Sequence, residues 1–209
     1  MEEFITIKEH VETEIVEKKS KFIANMFYIK DVQEAEEIIK KTRKKYFDAR
    51  HNCIAYRVIE NDRLIEKSSD DGEPSGTAGA PMLNILQKNN LVNVIIVTRY
   101  FGGILLGTGG LVRAYSSSLQ KAIEESTKEK KCLGVEMQVE VEYQNFESFK
   151  YYCKINNIEV VETQYLEKII CKIELEEKTK MKIIKDYETQ KININKIVEL
   201  SKKYITRSK

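Results

Sequence analysis

Two short stretches concentrate the side chains that could do chemistry. In the first, Arg99-Tyr-Phe-Gly-Gly-Ile-Leu-Leu-Gly-Thr-Gly-Gly-Leu-Val-Arg113, five of the chain's nine glycines fall within residues 102–110, and an arginine closes each end. Glycine lacks a Cβ, so Gly102, Gly103, Gly107, Gly109 and Gly110 let backbone N–H groups come close to a ligand or to another chain. With Arg99 and Arg113 on either side, the N–H groups of Thr108, Gly109 and Gly110 suit an anion. The spacing is not a dinucleotide fingerprint, because Val112 stands where a third glycine is needed, and no Gly-Lys-Ser/Thr follows to make a Walker loop. A tight strand-to-helix crossover that needs glycine for its geometry is the plainer alternative. Arg113 is expected in the first turn of a helix, where the macrodipole disfavours a cation by up to about 1 kcal/mol. It would either contact an anionic ligand or pair with Asp70, Asp71 or Glu73.

The second stretch, Ser69-Asp-Asp-Gly-Glu-Pro-Ser-Gly-Thr77, carries three carboxylates: Asp70, Asp71 and Glu73. Carboxylates this close could hold a magnesium ion or act as acid and base. They could equally form an acidic turn that caps the following helix through Ser75 or Thr77. Ser75 as a nucleophile would need a base and an oxyanion hole, and neither is visible. Just upstream, Arg50-His51-Asn-Cys53 places a histidine and a cysteine two residues apart, on one side of an extended chain. Nucleophilic catalysis is one reading of that pair, and a hydrogen-bonded structural histidine is the other. No metal site or cofactor is expected from these residues.

The elements that must position these groups follow from periodicity. Residues 11–17 and 21–29 read as a hairpin about Lys18 and Lys19, and Asp31 caps an amphipathic helix that buries Val32, Ala35, Ile38 and Ile39. Strands are expected at 52–59 and 64–69, turned by residues 60–63. A helix capped by Thr77 would run to Gln87, with Pro81 in its first turn. Residues 91–98 lack alternation, which suits a central strand covered on both faces. After the glycines, Leu111, Tyr115, Leu119 and Ala122 or Ile123 recur at helical spacing. From Gly134 onward the chain reads strand, helix, strand, strand, helix, strand, the split βαβ order. The expected domains are 1–130 and 134–203, with a boundary near 128–134. Lys202, Lys203, Arg207 and Lys209 would form a solvated basic tail.

Bulk properties narrow the classes. The chain has 209 residues, a third of them charged, with a net charge of +2, so any polyanion contact must come from a local patch. The four cysteines show no C-x-x-C pair, which argues against zinc and disulfides and fits reduced thiols. No targeting signal or membrane-length apolar run is present, so a cytoplasmic protein without membrane contact is expected.

Residues 69–83 and 99–115, together with Asp48-Ala-Arg-His-Asn-Cys53, resemble the signature of the IMPACT/YigZ family over residues 11–125. The resemblance implies an α+β chain of the bacterial two-domain type. Its first domain would be like the second domain of ribosomal protein S5, with helices on one face of a sheet. A ferredoxin-like domain, similar to the last domain of elongation factor G, would follow. Eukaryotic members restrain a starvation-activated kinase of translation initiation through an additional N-terminal module, and that role is not carried over here. The resemblance therefore implies a regulatory or binding protein of translation. It would contact RNA, the ribosome or a translation-related protein through Arg50, Arg99, Arg113 and the glycine N–H groups. The exposed sheet face of the second domain would add a surface. The alternative is an enzyme on a small phosphorylated or carboxylated substrate, with Asp70, Asp71, Glu73 or His51 catalytic and Arg99 and Arg113 as the clamp.

Overall fold

The structure is a computed structural model that describes residues 3–61 and 63–206. It is a mixed α+β chain in two compact units that, among the described residues, span 3–129 and 130–206. Asp62, in the expected 60–63 turn, lies outside the described residues, as do Arg207 and Lys209 of the expected tail.

In the first unit, β1 (Glu3–Ile7) is joined to residues 90–92 by Ile5, whose N–H donates to Asn90 and whose carbonyl accepts from Val92. Five further strands, β2 (Val11–Glu17), β3 (Ser20–Phe27), β4 (His51–Glu60), β5 (Arg63–Ser69) and β6 (Val94–Tyr100), form one antiparallel sheet in the order β2-β3-β6-β4-β5. The central strand β6 is apolar at successive positions because it serves two cores. Ile95 and Val97 face one cluster, and Val94 and Ile96 face the other. Helix α1 (Val32–Lys45) covers the second cluster with Ala35 and Ile39, and Asp31 caps it by accepting the Glu34 N–H at 2.7 Å. Helices α2 (Gly79–Lys88) and α3 (Gly107–Glu125) cover the first with Met82, Leu86, Leu111, Tyr115 and Leu119. The helices therefore lie on both faces, not on one as the resemblance implied. A strand with no polar side cannot leave either face in water.

The second unit contains β7 (Lys128–Val141, beginning just before it), α4 (Phe146–Ile155), β8 (Glu159–Tyr165), β9 (Ile169–Glu176), α5 (Glu177–Glu188) and β10 (Lys196–Thr206). Its strands pair antiparallel in the order β10-β7-β9-β8. One face is apolar, with Val135, Met137, Val139, Ile169, Cys171 and Ile173 packed on Phe149, Cys153 and Ile183 of the helices. The other face is a ladder of ion pairs. Lys172 meets Glu162 at 2.6 Å, and Lys203 meets both Glu136 and Glu174. Lys203 thus belongs to a paired strand rather than to a solvated tail, and Lys202 precedes it in β10. Each of these lysines is matched by a glutamate, so they leave no row of free cations on the face expected to meet RNA.

Candidate functional site

The acidic loop and the glycine loop meet over the ends of β4 and β6. They enclose a cavity of about 370 Å³ whose lining includes Arg50, His51, Glu73, Arg99, Gly107 and Thr108. Of the residues singled out in the sequence, Asp70, Asp71, Gly102, Gly103, Gly109, Gly110 and Arg113 are not in this lining.

The three carboxylates are all engaged. Asp70 reaches forward along the chain to accept the N–H groups of Gly76, Ala78 and Gly79 at 2.8–2.9 Å. It therefore caps α2, and Thr77 does not, since its hydroxyl donates back to the Pro74 carbonyl at 2.7 Å. Partial burial pushes the Asp70 carboxyl up, but the three backbone donors outweigh it and hold the group below its ordinary value. Asp71 accepts the Asn52 N–H at 2.7 Å and pairs with Arg43 at 2.8 Å. Glu73 is buried and takes Arg99 Nη1 at 2.6 Å and the Tyr115 hydroxyl at 2.9 Å on one oxygen. His51 Nε2 lies 3.8 Å from that oxygen, and Nδ1 is 2.8 Å from the Asp71 carbonyl, which fixes the ring. None of the three carboxylates pairs with Arg113, which was one of the two alternatives for it.

Cys53 donates to the Asp70 carbonyl at 2.9 Å and lies 3.3 Å from the Tyr115 hydroxyl. Burial pushes its thiol up to about 12, so it is a core thiol, not an activated nucleophile. Burial likewise raises the Tyr115 hydroxyl far above its ordinary range. Cys53, Tyr115, Glu73 and Arg99 therefore form one buried polar chain beneath the cavity. Helical spacing marks Tyr115 only as a core residue. Its link to Glu73 spans 42 positions in the chain, which helical periodicity does not reveal.

The glycine loop presents the opposite picture. Gly102 packs so tightly on the Lys19–Ser20 backbone that a Cβ there would lie 2.0 Å from Lys19 C and O. Beyond it the loop is exposed, with Phe101, Ile104 and Leu105 open to solvent. Helix α3 begins at Gly107, whose φ is +70°, so Thr108, Gly109 and Gly110 form its first turn. The flanking Leu106 supplies no side-chain cap. The first N–H groups of a helix have no intrahelical partner, and among the described residues no side chain takes them here. Arg113 stands in the second turn, not the first. Its Nη1 would meet a Cβ on Gly109 at 3.7 Å, so the guanidinium reaches back over the first turn. Arg50 and Arg113 are both exposed, and among the described residues neither guanidinium has a hydrogen-bond or ion-pair partner. Arg99 is buried and paired. Arg113 lies off the main cavity, in a smaller one of about 210 Å³ with Lys18 and Gly110.

Among the described residues no group of three or more His, Cys, Asp or Glu is placed to share a metal ion, and no helix is long and apolar enough to cross a membrane. Comparison with known proteins matches residues 18–123 to the model of the Impact N-terminal domain. An IMPACT family member from Haemophilus influenzae is 35% identical over 86% of this chain and 88% of its own length. The IMPACT family member YvyE of Bacillus subtilis is 51% identical, over 57% of this chain and 55% of its own length. A crystal structure described only as that of a hypothetical protein superposes with a TM-score of 0.65 at 28% identity, covering 96% of this chain and 98% of that one.

Proposed function

The chain belongs to the IMPACT family, and from that premise we propose that it is a binding protein of translation whose anionic partner docks at the start of α3. Translation is the process the family resemblance implies, with RNA, the ribosome or a protein bound to it as the partner. The carrying observation is the contrast in pairing around one helix start. The guanidinium groups of Arg50 and Arg113 are exposed and have no partner among the described residues, and the first turn of α3 is uncapped, while Asp70, Asp71 and Glu73 are all engaged. An anionic partner would meet free donors there while the carboxylates of the acidic loop stay engaged, although Glu17 lines the smaller cavity beside Arg113. The strand order β10-β7-β9-β8 with its two helices supports a ferredoxin-like second domain. The S5-like assignment of the first domain stands on the resemblance.

The enzyme reading has one observation in its favour, the cavity of about 370 Å³, which has the size of a small-molecule site. Its acid–base groups are the weak point, since each carboxylate already serves backbone or cation. Ribosome co-sedimentation from a lysate across a salt series tests the reading. Wild type should co-sediment at low salt and be released as salt rises, and an Arg50→Ala/Arg113→Ala variant should stay in the supernatant while remaining folded. Absence of wild-type co-sedimentation at low salt contradicts the reading and directs attention to small anionic substrates.

A further inference from the structure

Three features of the α3 start remain unexplained by anion attraction alone. The first is Arg99, which is 5% exposed and lines the main cavity, yet leaves its Nε–H without a partner. A buried donor left unsatisfied beside a cavity marks a place where a water or a ligand atom can supply the acceptor. The second is the apolar part of the same wall, where Pro74, Phe101, Leu105 and Leu111 stand beside Arg50 and the first helical turn. A lone phosphate has no use for such a wall, whereas a flat ring does. The third is the smaller cavity on the next flank of α3. It shares Leu106 with the main one and holds two cations whose side chains have no partner among the described residues, Lys18 and Arg113, with one carboxylate, Glu17, beside them. Lys18 and Lys19 hold positive φ values of 44° and 65° in the β2–β3 turn, where glycine or asparagine is the ordinary choice.

Resting on the binding-protein reading above, we infer that the paired cavities take single-stranded RNA, one unstacked base entering the larger cavity. The base lies against Phe101, and its phosphate meets Arg50 and the N–H groups of Gly107 and Thr108. The next phosphate along the strand meets Arg113 and Lys18. Cations in two adjoining cavities match a polyanion with repeated phosphates better than a single anion. An unstacked base on an aromatic side chain is the usual means of holding a single strand, and a duplex cannot supply one without opening. An extended peptide lacks the edge it would need. The strands that supply His51 and Arg99, β4 and β6, are each paired on both sides.

Fluorescence anisotropy of a labelled oligouridylate with the full chain tests this. The single strand should bind at least about tenfold more tightly than the same sequence in a duplex, with a salt slope near −0.7 per phosphate contacted. Phe101→Ala should weaken binding about tenfold, in line with base–aromatic stacking, and leave the salt slope unchanged. Arg113→Ala and Lys18→Ala should each weaken binding and make the slope shallower. These three side chains are exposed, and far-ultraviolet circular dichroism of each variant establishes that it is folded. Equal affinity for duplex and single strand, indifference to Phe101→Ala, or binding of an acidic peptide in place of oligouridylate would each overturn the inference. Ribosome co-sedimentation without oligouridylate binding sinks this inference and leaves the proposed function standing. Oligouridylate binding without co-sedimentation does the reverse.

Discussion

The acidic loop and the glycine loop sit side by side over the same cavity and use their polar groups in opposite ways. In the acidic loop every carboxylate is committed. Asp70 holds three backbone N–H groups, Asp71 holds Asn52 and Arg43, and Glu73 holds Arg99 and Tyr115. In the glycine loop the first turn of α3 is uncapped, and Arg113 beside it has no partner among the described residues. The first loop builds the wall, and the second keeps donors in reserve. A charged residue type therefore does not identify a site by itself. What distinguishes the two loops is whether the charge has already been answered.

Substitutions should separate the two loops by stability. The largest loss is expected from Glu73→Ala, which leaves the buried Arg99 without its counter-charge and should cost about 3–5 kcal/mol in urea denaturation. Asp70→Ala should cost about 2–3 kcal/mol, because two N–H groups at the start of α2 and one in the loop before it lose their acceptor. The Asp70 carboxyl is held below its ordinary value, so its contribution is fully present above the unfolded value of about 3.9 and is lost as pH falls through the lower folded one. Acid titration of stability should accordingly be shallower in Asp70→Ala than in wild type below about pH 4. Tyr115→Phe should cost about 1 kcal/mol, the net value of one hydrogen bond to Glu73. Arg113→Ala should change stability by no more than about 0.5 kcal/mol, since an exposed side chain with no partner is removed. A loss above about 2 kcal/mol in Arg113→Ala would erase the distinction between the loops.

Much of this arrangement was legible in the sequence, and the exceptions share a cause. The Asp31 cap, the central strand at 94–97 and the buried stripe Leu111, Tyr115, Leu119 all follow from local spacing, and the structure has them. The convergence of the acidic and glycine loops was legible only as two clusters of unusual composition. The start of α3 was placed too late because four glycine-rich residues look like loop, although an uncapped helix begins there. The cap of α2 was assigned to Thr77 because capping rules look one to three residues back, and Asp70 acts from farther away across a turn. The pairing of Arg99 with Glu73, and of Glu73 with Tyr115, is a tertiary fact that no spacing encodes. The helices on both faces follow from the apolar strand at 91–98, which suits cover on both sides, against the one-sided layout the resemblance implied.

The central claim is that the start of α3 binds while the acidic loop supports. Urea denaturation and ribosome co-sedimentation, both carried out on the Arg50→Ala/Arg113→Ala variant, test it most directly. Stability within about 1 kcal/mol of wild type, together with loss of co-sedimentation at low salt, is the result expected. Unchanged co-sedimentation by a folded double variant would contradict the claim and place the partner surface elsewhere.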